Sequence, residues 1–253
     1  MAVLYDRADI YDLLEDENRY QGTKKHWERM LSGKEIHTLL DVSIGSGNLT
    51  LPLLELGIRL SGSDLSEAML DRCRKKANAR GEKVDLRVSD FRELTQAFCE
   101  QFDCVASTGN SLGYVENHEV LGVLEQMNTL VAPGGYLYFD LRNWDKILRT
   151  RQRFYLYNPA FVKDTRINLV QVWDYCPDGS MDFNLLYTFE QNNRIVQKEA
   201  FCEHYHPVPQ KLVLDKLKDM GYRDVEIYGF PAQLGAFDDN VDWYCVMAKK
   251  QPK

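Results

Sequence analysis

The 253-residue chain contains no apolar run approaching the ~20 residues that a membrane span needs. Its opening stretch, MAVLYDRADIYDLLEDEN, lacks the basic-then-apolar order of a secretion signal. Both absences point to a cytoplasmic protein that does not cross a bilayer. Positive charge is in deficit: 31 Lys and Arg face 38 Asp and Glu, a net charge of −7. A nucleic-acid binder needs clustered cations to displace counterions from phosphates, and the basic stretches at 72–76 and 149–153 are short. Nucleic acid is therefore not an expected partner. The six cysteines (Cys73, Cys99, Cys104, Cys176, Cys202, Cys245) form no CxxC and have no histidine at ligand spacing. This argues against a zinc site and a disulfide framework, and no metal is expected. Repeats and low-complexity tracts are also missing.

What is present is a rhythm. With 44 % hydrophobic residues the chain can bury a full core in one large domain. From residue 36 onward, apolar runs alternate with amphipathic segments, the signal of a parallel sheet flanked by helices. Strands are expected at 38–42, 59–63, 84–88, 102–107 and 136–141. Helices are expected at 49–56, 66–80 and 116–131, with Ser66 as a cap, Gly81 as a stop and Pro133-Gly134-Gly135 closing the third. The pattern then changes to extended runs at 169–175, 183–190 and 195–205, broken by Pro177-Asp178-Gly179 and Asn192-Asn193. That is an antiparallel insertion. A helix to Met220 and strands at 224–228 and 241–248 complete the sheet. The expected organisation is a helical lid over 1–37, an α/β core over 38–141, a β insertion over 142–208 covering the active site, and a return to the core over 209–253.

The most informative stretch is Asp41-Val42-Ser43-Ile44-Gly45-Ser46-Gly47-Asn48-Leu49-Thr50. A strand ends and a glycine turn opens the next element, where Gly45 and Gly47 let backbone approach a ligand. A dinucleotide fingerprint would place a third glycine where Thr50 stands. The acidic strand end at Asp41 suits a ligand with a sulfonium and an amino group better than a pyrophosphate, which favours S-adenosylmethionine (SAM). Asp64 follows the second strand at the ~20-residue distance of a ribose-gripping carboxylate. Asp90-Phe91, after the third, could bind and stack on adenine. All three positions fall at one edge of the sheet, where α/β folds bind ligands.

The segments DVSIGSG, SGSDLSEAML, VSDFREL, FDCVASTGNSLGYV and VAPGGYLYFDLRN resemble the ordered motifs of class I SAM-dependent methyltransferases. The resemblance implies a Rossmann-like, seven-stranded, mostly parallel sheet with helices on both faces, and S-adenosyl-L-homocysteine as product. It adds Ser43, Leu65, Met69 and Thr108 to the cofactor residues, with Arg19 as the candidate for the cofactor carboxylate. Ser43 stands where a smaller residue is usual. A narrower resemblance is to the glycine and glycine/sarcosine N-methyltransferases, through Gly109-Asn110-Ser111 and Arg142-Asn143-Trp144-Asp145-Lys146-Ile147-Leu148. It implies that Arg142 and Asn110 hold an acceptor carboxylate, with Tyr157 beside it and Tyr187 and Tyr205 as catalytic hydroxyls. Tyr5, Tyr11 and Tyr20 are candidates for a lid. If Tyr205 faces the pocket, alternation turns His204 and His206 away.

The expected activity is methylation of a small carboxylate-bearing amine. An amino sugar or other N or O acceptor, and a SAM-binding protein without catalysis, are the alternatives. An NAD-dependent oxidoreductase is disfavoured by Thr50 and by Gly109-Asn110-Ser111. A monomer and a homo-oligomer are equally compatible with the sequence.

Overall fold

The computed structural model describes residues 4–231 and 235–251. The chain begins with α1 (Ala8–Tyr11) between two 3-10 turns, followed by α2 (Glu17–Leu31) and β1 (Thr38–Asp41). Then come β2 (Arg59–Asp64), α3 (Glu67–Ala79), β3 (Asp85–Val88), α4 (Leu94–Ala97) and β4 (Phe102–Ser107). α5 (Asn117–Leu130) leads into the long β5 (Val131–Arg142) and α6 (Trp144–Thr150). The insertion is β6 (Phe154–Leu156), β7 (Ala160–Val162), β8 (Thr165–Tyr175), β9 (Met181–Gln191) and β10 (Arg194–Tyr205). α7 (Gln210–Asp219), β11 (Tyr222–Gly229) and β12 (Trp243–Lys250) finish the fold.

The main sheet has seven strands in the order β11-β12-β5-β4-β1-β2-β3. β1 to β5 run parallel, and β12 is antiparallel to both β5 and β11. Strand order reverses between β1 and β4, so a crevice opens at their carboxyl ends. Alternation along each strand feeds two cores. Leu40, Val105, Leu137 and Phe139 face α5 and α7, whose Val123, Met127, Val213 and Leu217 are fully buried. Leu39, Cys104, Ala106 and Tyr138 face the opposite side, against Trp27 and Met30 of α2 and Leu70 of α3. The expected fold class holds.

Local differences have physical causes. The expected helix at 49–56 is a 3-10 turn, Leu51–Leu56, because the Thr50 hydroxyl is drawn back to Asp41 at 3.0 Å and Pro52 sits at its start. Pro133-Gly134-Gly135 lies inside β5 rather than closing a helix. A Cβ on Gly135 would stand 2.7 Å from the Asp103 carbonyl of β4, so only glycine fits. α2 is part of the core, not of a lid: Trp27 is 1 % exposed and His26 hydrogen-bonds Tyr138 at 2.9 Å. Among the described residues no helix is long and apolar enough to cross a membrane.

The insertion forms a separate antiparallel sheet, β10-β9-β8-β6, with β7 also paired to β8. The Asn192-Asn193 turn joins β9 to β10 with both residues at positive φ, as a two-residue hairpin requires. Its inward residues Leu169, Trp173, Phe183, Leu185 and Phe201 merge with the α5-side core, which seats this sheet on the carboxyl end of the main one.

Candidate functional site

A cavity of about 610 Å³ opens over the carboxyl ends of β1, β2, β3 and β4. Its floor is the loop after β1. Asp41 is fully buried, and its carboxylate accepts from the Ser43 N–H at 3.1 Å, the Thr50 hydroxyl at 3.0 Å and the Thr108 hydroxyl at 2.8 Å. It ties the β1 and β4 loops together and does not reach the cavity wall. Burial pushes its carboxyl up to about 6 despite those three bonds. Ser43 does line the cavity and is bonded to Thr108 through N–H and carbonyl at 3.0 and 3.1 Å. The hydroxyl that departs from the usual small residue is accommodated in this way.

Gly45 and Gly47 both have positive φ, but they serve different ends. Gly45 faces the cavity, and a Cβ there would meet only Met69 at 3.7 Å. Met69 is buried beneath it and does not line the wall. At Gly47 a Cβ would lie 2.6 Å from Leu51 and 2.8 Å from Cys73. Gly47→Ala is expected to cost about 2–5 kcal/mol, from left-handed strain plus overpacking. Gly45→Ala should carry about 1 kcal/mol of backbone strain alone. Denaturant midpoints of the two variants check this, and equal losses would contradict the packing role.

Asp64 ends β2 with a carboxylate that accepts from the Gly45 N–H and the Ser66 N–H, both at 2.9 Å. Ser66 caps α3 through the Met69 N–H. Asp64 faces the cavity, and burial raises its carboxyl above the ordinary range. Leu65 stands beside it with 65 % exposure, an apolar side chain on the rim. Asp90 and Phe91 follow β3. Phe91 is 8 % exposed and on the wall, while Asp90 is forked by Arg92, which lowers its carboxyl. Thr108 and Gly109 complete the wall after β4.

These groups fit SAM. Asp64 presents to the cavity a carboxylate that has no ion-pair partner among the described residues, Phe91 offers a ring, and Gly45 and Gly109 present backbone. Arg19 is not among them. It is exposed in the first turn of α2, paired with Glu15 at 3.2 Å. Tyr5 and Tyr11 do line the cavity, whereas Tyr20 lies elsewhere under Arg80, 3.5 Å from its ring centroid.

The expected acceptor residues gather in a buried aromatic cluster off the cavity lining. Arg142 is 4 % exposed, and its guanidinium lies 4.6–5.3 Å from the ring centroids of Trp243, Trp173, Phe183 and Tyr155. Its guanidinium donates to the Gln171 side-chain carbonyl at 3.2 Å, and among the described residues no carboxylate pairs with it. Asn110, held at positive φ, accepts from the Arg142 N–H at 3.0 Å and Trp144 Nε1 at 3.1 Å. Its buried Nδ2 has no partner among the described residues. Gln171 Nε2 donates to the Tyr157 hydroxyl at 3.4 Å. Tyr187 is 3 % exposed against Phe201, and Tyr205 bonds the Tyr114 hydroxyl. Burial raises both phenols, so they stay protonated. Asn110, Arg142, Tyr157, Tyr187 and Tyr205 are all absent from the cavity lining, and Tyr205 touches it through Tyr114.

Among the wall residues that the sequence reading does not assign to the site are Tyr114, Glu203 and His206. Glu203 shares the inward phase of Phe201 and Tyr205 on β10, which was a usable signal. His204 does point away, pairing with Asp182 at 2.7 Å. His206 does not, because alternation ends with the strand and its N–H turns to the Gly113 carbonyl at 2.7 Å.

Comparison with known proteins bears on the same segment. Residues 39–135 match the methyltransferase domain family. The chain is 25 % identical over 246 residues to the glycine/sarcosine/dimethylglycine N-methyltransferase of Actinopolyspora halophila, covering 94 % of this chain but only 40 % of that protein. It is 26 % identical over 217 residues to the glycine/sarcosine N-methyltransferase of Aphanothece halophytica, covering 84 % and 76 %. In fold it is similar to SAM-bound CalS10, an amino pentose methyltransferase from Micromonospora echinaspora. The TM-score is 0.73 at 13 % identity, over 99 % and 98 % of the chains. The glycine loop and the two carboxylate-bearing strand ends fall inside the matched segment, so residues 39–135 are similar to a methyltransferase domain in sequence as well as in fold.

Proposed function

We propose that the chain transfers a methyl group from SAM to a small molecule, and that the acceptor is the nitrogen of a carboxylate-bearing amine resembling glycine or sarcosine. One observation carries the acceptor half. Among the described residues the buried Arg142 guanidinium faces rings and one amide carbonyl and pairs with no acid, and such a cation favours an anionic ligand. The two N-methyltransferase relatives support the same choice.

When bound, SAM supplies a methyl group on a cationic sulfur that leaves without further activation. The protein's task is therefore alignment and exclusion of water. Asp64 would grip the ribose, and Asp90 and Phe91 the adenine. Ser43, Gly45, Leu65 and Thr108 would border the cofactor, while Asp41, Gly47 and Met69 shape the loop from beneath. Arg142 and the Asn110 amide would take the acceptor carboxylate, with Tyr157 nearby. Tyr187 and Tyr205 would orient the nitrogen, and the 142–208 insertion would roof the acceptor end. Arg142 lies off the cavity lining, so an acceptor carboxylate would reach it only after an opening of the roof.

A second reading is favoured by the same wall. Because Arg142 stands outside the cavity, an amine without a carboxylate, such as an amino sugar, would need no such opening. Incubating the protein with SAM and glycine, sarcosine or an amino sugar, with mass detection of methylated product, separates them. Product from glycine or sarcosine is expected. Product from the sugar alone would favour the second reading, and no product from any would reject catalysis on these classes.

A further inference from the structure

Glu203 is a carboxylate that the roles above leave without a task. It lies on β10 between Phe201 and Tyr205, is 6 % exposed, and borders the cavity. Its contacts are the Leu4 N–H, donating at 3.3 Å, and the Tyr114 hydroxyl. Among the described residues no lysine or arginine pairs with it. Burial pushes its carboxyl above the ordinary range, so its charge is held at a cost that a cation would relieve.

Its surroundings suit a cation. Tyr5 and Tyr11 pack with tilted rings 5.7 Å apart, Tyr5 meets Tyr114 edge-on at 5.7 Å, and Tyr114 lies 4.5 Å from Tyr205. Burial keeps these phenols neutral, so they offer π-faces and hydroxyls but no compensating charge. A buried carboxylate rimmed by aromatic rings attracts an ammonium by ion pairing and by cation–π contact. A neutral hydroxyl acceptor would leave that carboxylate uncompensated. We infer that Glu203 recognises the nitrogen of the methyl acceptor, pairing with its ammonium form and taking the proton that must leave before the nitrogen lone pair takes the methyl from sulfur, which makes the acceptor an amine rather than an alcohol or phenol. This rests on methyl transfer at this cavity, but not on Arg142 holding a carboxylate.

The rival role is a clamp, with Glu203 merely fastening the N-terminal turn through Leu4 and Tyr114. Two cofactor analogues separate the roles. S-adenosylhomocysteine has no charge at the transfer point, whereas sinefungin carries an amine there. Calorimetry on wild type, Glu203→Gln and Glu203→Asp is expected to show sinefungin weakened about tenfold or more by Glu203→Gln. S-adenosylhomocysteine should stay within about threefold, and Glu203→Asp should retain part of the sinefungin affinity. Equal losses for both analogues would make Glu203 a clamp, and no loss for either would remove it from recognition. If the wild type bound neither analogue, the cofactor reading itself would fall, and Glu203 with it.

Discussion

Asp64→Ala is expected to weaken SAM binding about 100-fold or more while leaving the chain folded. Hydrogen bonds to a charged group contribute about 1.5–3 kcal/mol each, so losing two ribose bonds removes at least ~3 kcal/mol. Each 1.4 kcal/mol is a factor of ten. The carboxylate also braces the Gly45 and Ser66 N–H groups at 2.9 Å, so the glycine loop loses its anchor as well. Stability should move less than affinity. Those two N–H groups lose a partner, but a buried charge whose carboxyl is pushed up is also removed. Calorimetry and a thermal melt on the same preparation read both effects. A mutant binding within about threefold of wild type would take Asp64 out of the cofactor site.

Arg142→Met is the second large effect, and it separates function from folding. Methionine fills the space among Tyr155, Trp173, Phe183 and Trp243 without a charge to desolvate. Gln171 keeps its bond from Trp173 Nε1 at 3.0 Å, and the Asn110 contact is to the Arg142 backbone, so both survive. Replacing a buried ionic side chain by an apolar one of similar size is often neutral or stabilising, so the denaturation midpoint should hold or rise. Turnover of a carboxylate-bearing amine should fall sharply, since losing one partner of a buried charge pair costs about 2–5 kcal/mol. Methylation of an amine without a carboxylate should be untouched. Equal losses on both substrates would make Arg142 structural.

Much of the cofactor side was legible because it is local. The β1 strand, the glycine turn and Asp64 are read from short apolar runs, turn chemistry and spacing, all of which are set within a short stretch of chain. The elements that were misjudged depend on distant partners. The 49–56 segment has a helical pattern, but Asp41 draws Thr50 out of the helix. α2 has an amphipathic face whose partner, Tyr138, lies 112 positions away. β6 and β7 are three residues each, too short for a periodicity to register. Arg142-Asn143-Trp144 was read only as a substrate motif, yet Asn143 also caps α6 through the Lys146 N–H at 3.0 Å. Arg142 and Asn110 do come together, but off the cavity wall. Glu203 enters the site through contact with Leu4, 199 positions away, a pairing that neither segment announces.

The claim on which all else depends is that the cavity over β1, β2 and β3 is a SAM site. Titrating SAM into the unmodified protein by calorimetry tests it most directly. One site per chain with micromolar or tighter affinity, competed by S-adenosylhomocysteine, is the predicted result. No heat and no competition at millimolar SAM would contradict it and leave only the fold.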